Sequence, residues 1–163
     1  VFLRGPLGQV DAAERLHAVR EVANWYDDVE LRELPGEFRM DTAYEAISEL
    51  LADGIRPHAI FAANDTMAVG AIAAVRDADL RVPEDIAVTG FDDIPMTRFL
   101  TPPLTTVRMP IYSLGERAVL RLIDVLRSGG GAVPARHEVL PAELVIRSSC
   151  GAAQRMLAEL EDG

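Results

Sequence analysis

Apolar residues in this chain follow two rhythms, short unbroken runs and stripes at helical spacing, and the two alternate. Residues 59–63 (AIFAA) and 86–90 (IAVTG) are compact apolar runs bounded by polar or turn residues, the pattern of strands covered on both faces. Between them Met67, Ala71, Ala74, Val75 and Ala78 recur at helical spacing and predict a helix with one buried stripe. Asn64 or Asp65 is placed to cap its first turn, and Pro83 stops it before the next strand.

The same alternation runs outward from this unit. Residues 1–4 (VFLR) predict a strand ended by Gly5-Pro6, followed by a helix capped by Asp11, with Glu14 completing an approximate capping box. Ala12, Leu16, Val19, Ala23 and Tyr26 mark its expected buried face. A second strand is expected at 29–33 (VELRE), turned at Pro35-Gly36, then a helix capped by Asp41 with Ala43, Ile47, Leu50 and Leu51 inward and Gly54 as its C-cap. Downstream, a loop at 94–103 holds the stiffening pair Pro102-Pro103. A last strand at 143–147 (ELVIR) suits a sheet edge, and residues 152–163 read as a short, mostly acidic, frayed helical tail. Strand and helix in alternation predict an α/β fold built on a doubly wound parallel sheet. In such a sheet the polar clusters Asn64-Asp65 and Asp92-Asp93, each closing a strand, fall on the rim where ligands dock.

Composition narrows the function. The 163 residues, 49% of them hydrophobic, suffice for one domain with a substantial core. A formal net charge of -10, without any run of Lys or Arg, would repel a phosphate backbone. The single cysteine, Cys150, excludes an internal disulfide, and no apolar stretch approaches the roughly 20 residues that cross a bilayer. The chain has no GxGxxG after a strand, no P-loop and no GxSxG elbow. His17, His58 and His137 show no ligand spacing, and capping or ion pairing explains Asp65, Asp92 and Asp93 more simply than a Mg2+ site does. No metal, cofactor or catalytic residue is expected, and the chain is not read as an enzyme.

Four rim residues remain as candidates for holding a ligand: Arg15, Phe38, Asn64 and Asp92. Asp92 offers two acceptor oxygens, Arg15 a planar fork of donors, and Asn64 one group of each kind, the combination that vicinal hydroxyls require. Phe38 offers an apolar platform for a sugar ring. Spacing alone leaves blander roles open: a solvated helix arginine, an aromatic plug at the core edge, and an aspartate capping its loop. Asp93 reads as that loop residue and Asp65 as a helix cap.

The stretch FAANDTMAVGAIAAVRDADLRVPEDIAVTGFDD, with TPPLTTV at 101–107 and LPAELVIR at 140–147, resembles the effector-binding region of lactose-repressor (LacI/GalR-type) bacterial transcription regulators from about Gly5 to Gly151. The resemblance implies a periplasmic-binding-protein-like lobe with an incomplete second lobe. Residues 1–151 would be the C-terminal lobe of an effector domain, with about 108–140 crossing to an N-terminal lobe that is missing along with the DNA-binding head. It places the family's sugar-gripping arginine at Arg15 and an aromatic at Phe38, while Ala18 and Val19 depart from the glycine and aromatic many members carry. The implied partners are a small-molecule effector, a sugar foremost or else a purine, operator DNA through the missing head, and a second copy of the chain in a cytoplasmic homodimer. A membrane is not among them. The resemblance also implies a helix at Ile111–Arg127, apolar along Leu114, Ala118, Leu122, Ile123 and Leu126 and ended by the glycines at 129–131. Without its lobe, that helix and a strand near 137–140 are expected to be displaced, disordered or packed on another copy. A periplasmic sugar receptor of a transporter shares this architecture and stands as the alternative, ahead of a small α/β enzyme.

Overall fold

The computed structural model describes residues 1–128 and 137–152. Strands β1 (Phe2–Arg4), β2 (Glu33–Pro35), β3 (Ala59–Ala62) and β4 (Ala87–Thr89) form a parallel sheet in the order β2-β1-β3-β4. The connecting helices are α1 (Val10–Ala23), α2 (Met40–Ala52) and α3 (Asp65–Asp77). The crossover from β1 to β2 runs opposite to the next two, so right-handed connection places α1 on one face and packs α2 with α3 on the other. Phe2, Leu3, Ile60 and Val88 from the strands and Ile86, just before β4, meet Ile47, Met67 and Val75 from the helices in a fully buried core. Each such side chain contributes about 1.5–3 kcal/mol through the apolar surface it removes from water. Phe2 and Phe61 add an edge-to-face ring contact at 5.4 Å.

The predicted stripe of α2, Ala43, Ile47, Leu50 and Leu51, is buried, as are Met67, Ala71, Ala74 and Val75 of the α3 stripe, while Ala78 is the C-cap of α3 and only half-buried. Gly70 shows how tightly they pack, because a Cβ there would overlap the Met40 carbonyl oxygen. In α1 only Ala12 and Leu16 are buried, whereas Tyr26 lies beyond the helix and is exposed. This face of the sheet carries one helix instead of two, so the later turns of α1 have little to pack against.

Several boundaries differ from expectation. The second strand is Glu33–Pro35, not 29–33, because on the side away from β3 it is those residues that pair with β1, Phe2 opposite Glu33 through Arg4 opposite Pro35. Proline is tolerated there because β2 is an edge strand. Gln9 and Arg39, not Asp11 and Asp41, are the N-caps, and both aspartates sit inside the first turn, where they favour the positive end of the helix dipole. Asp53 is the C-cap of α2, with Gly54 just after it at φ 79, the left-handed position that glycine fills without strain.

After β4 the chain passes a 3-10 turn (Pro95–Phe99) into β5 (Thr106–Arg108), helix α4 (Ile111–Arg127) and β6 (Glu143–Val145). The last strand does not join the edge of the main sheet as a ladder; it pairs antiparallel with β5 in a two-stranded ribbon. Isolated bridges from Thr89 to Thr105 and from Asp92 to Arg108 fasten that ribbon beside β4. Helix α4 occupies the predicted span, and none of its residues is buried. Residues 137–140 form no strand, and Glu138 reaches back to an ion pair with Arg117. The expected helix end at 129–131 and all of the expected tail beyond Ala152 lie outside the described residues.

Candidate functional site

The C-terminal ends of β1, β3 and β4 open on one rim, and Arg15, in the second turn of α1, reaches over it. Its Nη1 donates to the carbonyl oxygen of Ala63, the residue just before Asn64. Its Nη2 lies 3.6 Å from Asp92 Oδ1 and 3.9 Å from Asp11 Oδ2. The same guanidinium stands over two rings, 4.1 Å from the centre of Phe91 and 5.8 Å from that of Phe38. Cations within about 6 Å of an aromatic face are attracted to its negative quadrupole. Arg15 therefore links Asp92 and Phe38 in space, although 54 residues of chain separate those two positions.

Asp92 lies three residues past β4 with φ 111, and Asp93 follows at φ 55, a pair of left-handed positions that turn the chain sharply at the rim. The Asp92 side chain is 39% exposed. Partial burial pushes its carboxyl above the ordinary value, and Arg15 opposes that shift without cancelling it. The Arg15–Asp92 separation is long for a hydrogen bond, leaving both groups able to bond a third partner between them. Phe38 rests against Gly5, where a Cβ would collide with its ring, and is packed partly into the core edge. Asn64 caps α3: its Oδ1 accepts from the Met67 N–H at 2.9 Å, which leaves the side-chain NH2 as its donor toward the rim. Among the described residues, Asn64 makes no side-chain bond to Arg15, Phe38 or Asp92.

Two carboxylates differ from the sequence reading. Asp65 is not the helix cap; it is fully buried and accepts from the Thr106 hydroxyl at 2.6 Å and the Ile94 N–H at 2.9 Å. Burial holds its carboxyl above the ordinary range, against the pull of those bonds. Asp93 lies in the loop as expected, but its 2% exposed side chain is pinned by Arg147 at 2.6 Å and Arg108 at 2.6 Å. Burial pushes its carboxyl up, and bonds from Arg147, Arg108 and Thr97 outweigh that and hold it below the usual range. Phe91 was not singled out in the sequence; its signal is an aromatic directly before the paired aspartates at a strand end. No group of three or more metal-ligating side chains is assembled among the described residues.

Residues 8–150 match the family model described as a periplasmic binding protein-like domain. The chain is 46% identical over 109 residues to a lactose operon repressor of Rhizobium radiobacter, covering 67% of this chain and 94% of that protein. The chain belongs to the LacI family. It is also 41% identical over 126 residues to the ribose operon repressor of Escherichia coli K12, covering 76% of this chain and 37% of that one. Among solved structures, a Lac repressor dimer bound to operator and the anti-inducer ONPF superimposes with a TM-score of 0.82 at 33% identity, over 91% of this chain and 51% of that one. The LacI-family fold is thus shared across nearly the whole chain, which spans about half of that repressor structure and 37% of the ribose repressor. These relatives are repressors, not enzymes.

Proposed function

We propose that this chain is the effector-sensing part of a LacI-family transcription regulator and that Arg15, Phe38, Asn64 and Asp92 hold a sugar at the rim. The observation that carries the reading is Arg15 poised 3.6 Å from Asp92 and over the rings of Phe91 and Phe38, at the carboxyl ends of parallel strands. A hydroxylated ring fits this arrangement because each vicinal hydroxyl both donates and accepts. Asp92 accepts, Arg15 and the Asn64 amide donate, and Phe38 lies against the C–H face. Hydrogen bonds to charged groups contribute about 1.5–3 kcal/mol each.

Residues 1–151 act in this reading as the C-terminal lobe of the effector domain, and about 108–140 cross to the other lobe. An α4 with no buried residue supports that assignment. In the intact cytoplasmic regulator the effector favours one arrangement of a homodimer and so changes operator binding; the shift is limited to the effector's difference in affinity for the two arrangements. Titration calorimetry against a panel of pentoses, hexoses and disaccharides tests the site. Arg15→Ala and Asp92→Ala are each expected to weaken the best ligand by about tenfold or more, the loss of one charged hydrogen bond. A tight ligand indifferent to both substitutions rejects the residue assignment.

A further inference from the structure

The rim aspartate Asp92 does not stand alone; its successor, Asp93, is 2% exposed and ion-paired to two arginines. We infer that Asp93, held by Arg147 on one side and Arg108 on the other, is a positioning residue that fixes the Asp92 carboxylate against Arg15 and ties that geometry to the two strands joined through α4. This inference rests on the effector-site reading for its functional meaning, while its structural content stands apart from any ligand.

Left-handed backbone at two successive non-glycine residues persists only where the surroundings over-determine it. Here three consecutive N–H groups are pinned: Asp92 to the Val107 carbonyl at 2.8 Å, Asp93 to the Thr106 hydroxyl at 3.4 Å, and Ile94 to Asp65 at 2.9 Å. The Asp93 side chain closes the arrangement, one oxygen on Arg147 next to β6 and the other on Arg108 of β5. Arg108 also bonds Glu143, directly opposite it in the ribbon, at 3.0 Å. A shift of β5 or β6 therefore pulls on Asp93 and rotates the peptide that carries Asp92. A carboxylate that only balanced charge would not need two cations, one from β5 and one from the residues just after β6.

Arg108 gives the cleanest test because its side chain is 45% exposed, so its replacement leaves the core intact. Hydrogen exchange is followed by mass spectrometry on the 163-residue chain for wild type, Arg108→Met, Arg108→Lys and Asp93→Asn. D-ribose and lactose are titrated in parallel. Arg108→Met is expected to speed exchange at residues 91–94 and 106–108 while α2 and α3 stay protected. It is also expected to weaken whichever sugar binds wild type by about fivefold, within the range of couplings carried by residues that touch no ligand. Arg108→Lys should recover part of both. Unchanged local exchange in Arg108→Met and Asp93→Asn overturns the inference, as does loosening of α2 and α3 to the same degree as the rim. If neither sugar binds wild type, the ribose and lactose readings of the site fail, and the exchange pattern still decides the positioning role by itself.

Discussion

Asp65 lies directly beneath the rim, and its chemistry sets a pH dependence opposite to that of its neighbour. Its native pKa is raised above the ordinary 3.8 by burial. The folded chain thus binds a proton more readily than the unfolded one, and stability falls as pH climbs from that value through the native pKa. Asp93 has the reverse sign: its lowered native pKa gives stability that is present above the ordinary value of 3.8 and lost as pH falls from there through the native pKa. Asp65→Asn keeps an acceptor for the Ile94 N–H and removes the ionisation. The variant is expected to gain on wild type as pH rises from about 4 and then hold a constant difference. Urea midpoints measured across that range check it; a difference that does not move with pH rejects the account. Two adjacent aspartates look alike in a sequence, and so do Asn64 and Asp65. Which of each pair faces the rim depends on backbone angles and on partners such as Thr106 and Arg147, distant along the chain.

At the level of elements, α2 and α3 pack closely against each other, with no room for a Cβ at Gly70. A side chain there meets the Met40 backbone, which has no rotamer to yield. Gly70→Val is expected to cost about 1–3 kcal/mol, the usual penalty for overpacking, read as a lower denaturant midpoint at unchanged slope. The stripes of these helices were legible beforehand because a helix buried along one side must repeat its apolar residues at its own period. The second strand was not. Residues 29–33 alternate suitably, yet Glu33–Pro35 is what β1 selects, since an edge strand is defined by its partner's register and not by its own pattern. Helix α4 matches the span that the resemblance implied, and its apolar residues recur at helical spacing, a local property of the chain.

For the whole molecule, α4 is the feature out of balance. Tyr112, Leu120, Leu122 and Leu126 are all more than half exposed on a helix without a buried residue, although its apolar side was evident from the sequence. Such a surface favours association. The chain is expected to self-associate as concentration rises, and Leu122→Glu with Leu126→Glu to reduce that association while leaving the thermal midpoint of the sheet core unchanged. Sedimentation equilibrium and circular dichroism measure the two effects; a fall in the midpoint would show that α4 supports the core after all.

The residues alone determined the α/β alternation, the buried stripes of α2 and α3, the span of α4 and the family likeness, because each is written in local spacing or in contiguous words. The tertiary structure alone decided the register of β2, the ribbon of β5 and β6, the burial of Asp65, and the hold that Arg108 and Arg147 keep on Asp93. Those depend on contacts between segments far apart in the chain, where one residue of shift or one backbone rotation exchanges an inward side chain for an outward one.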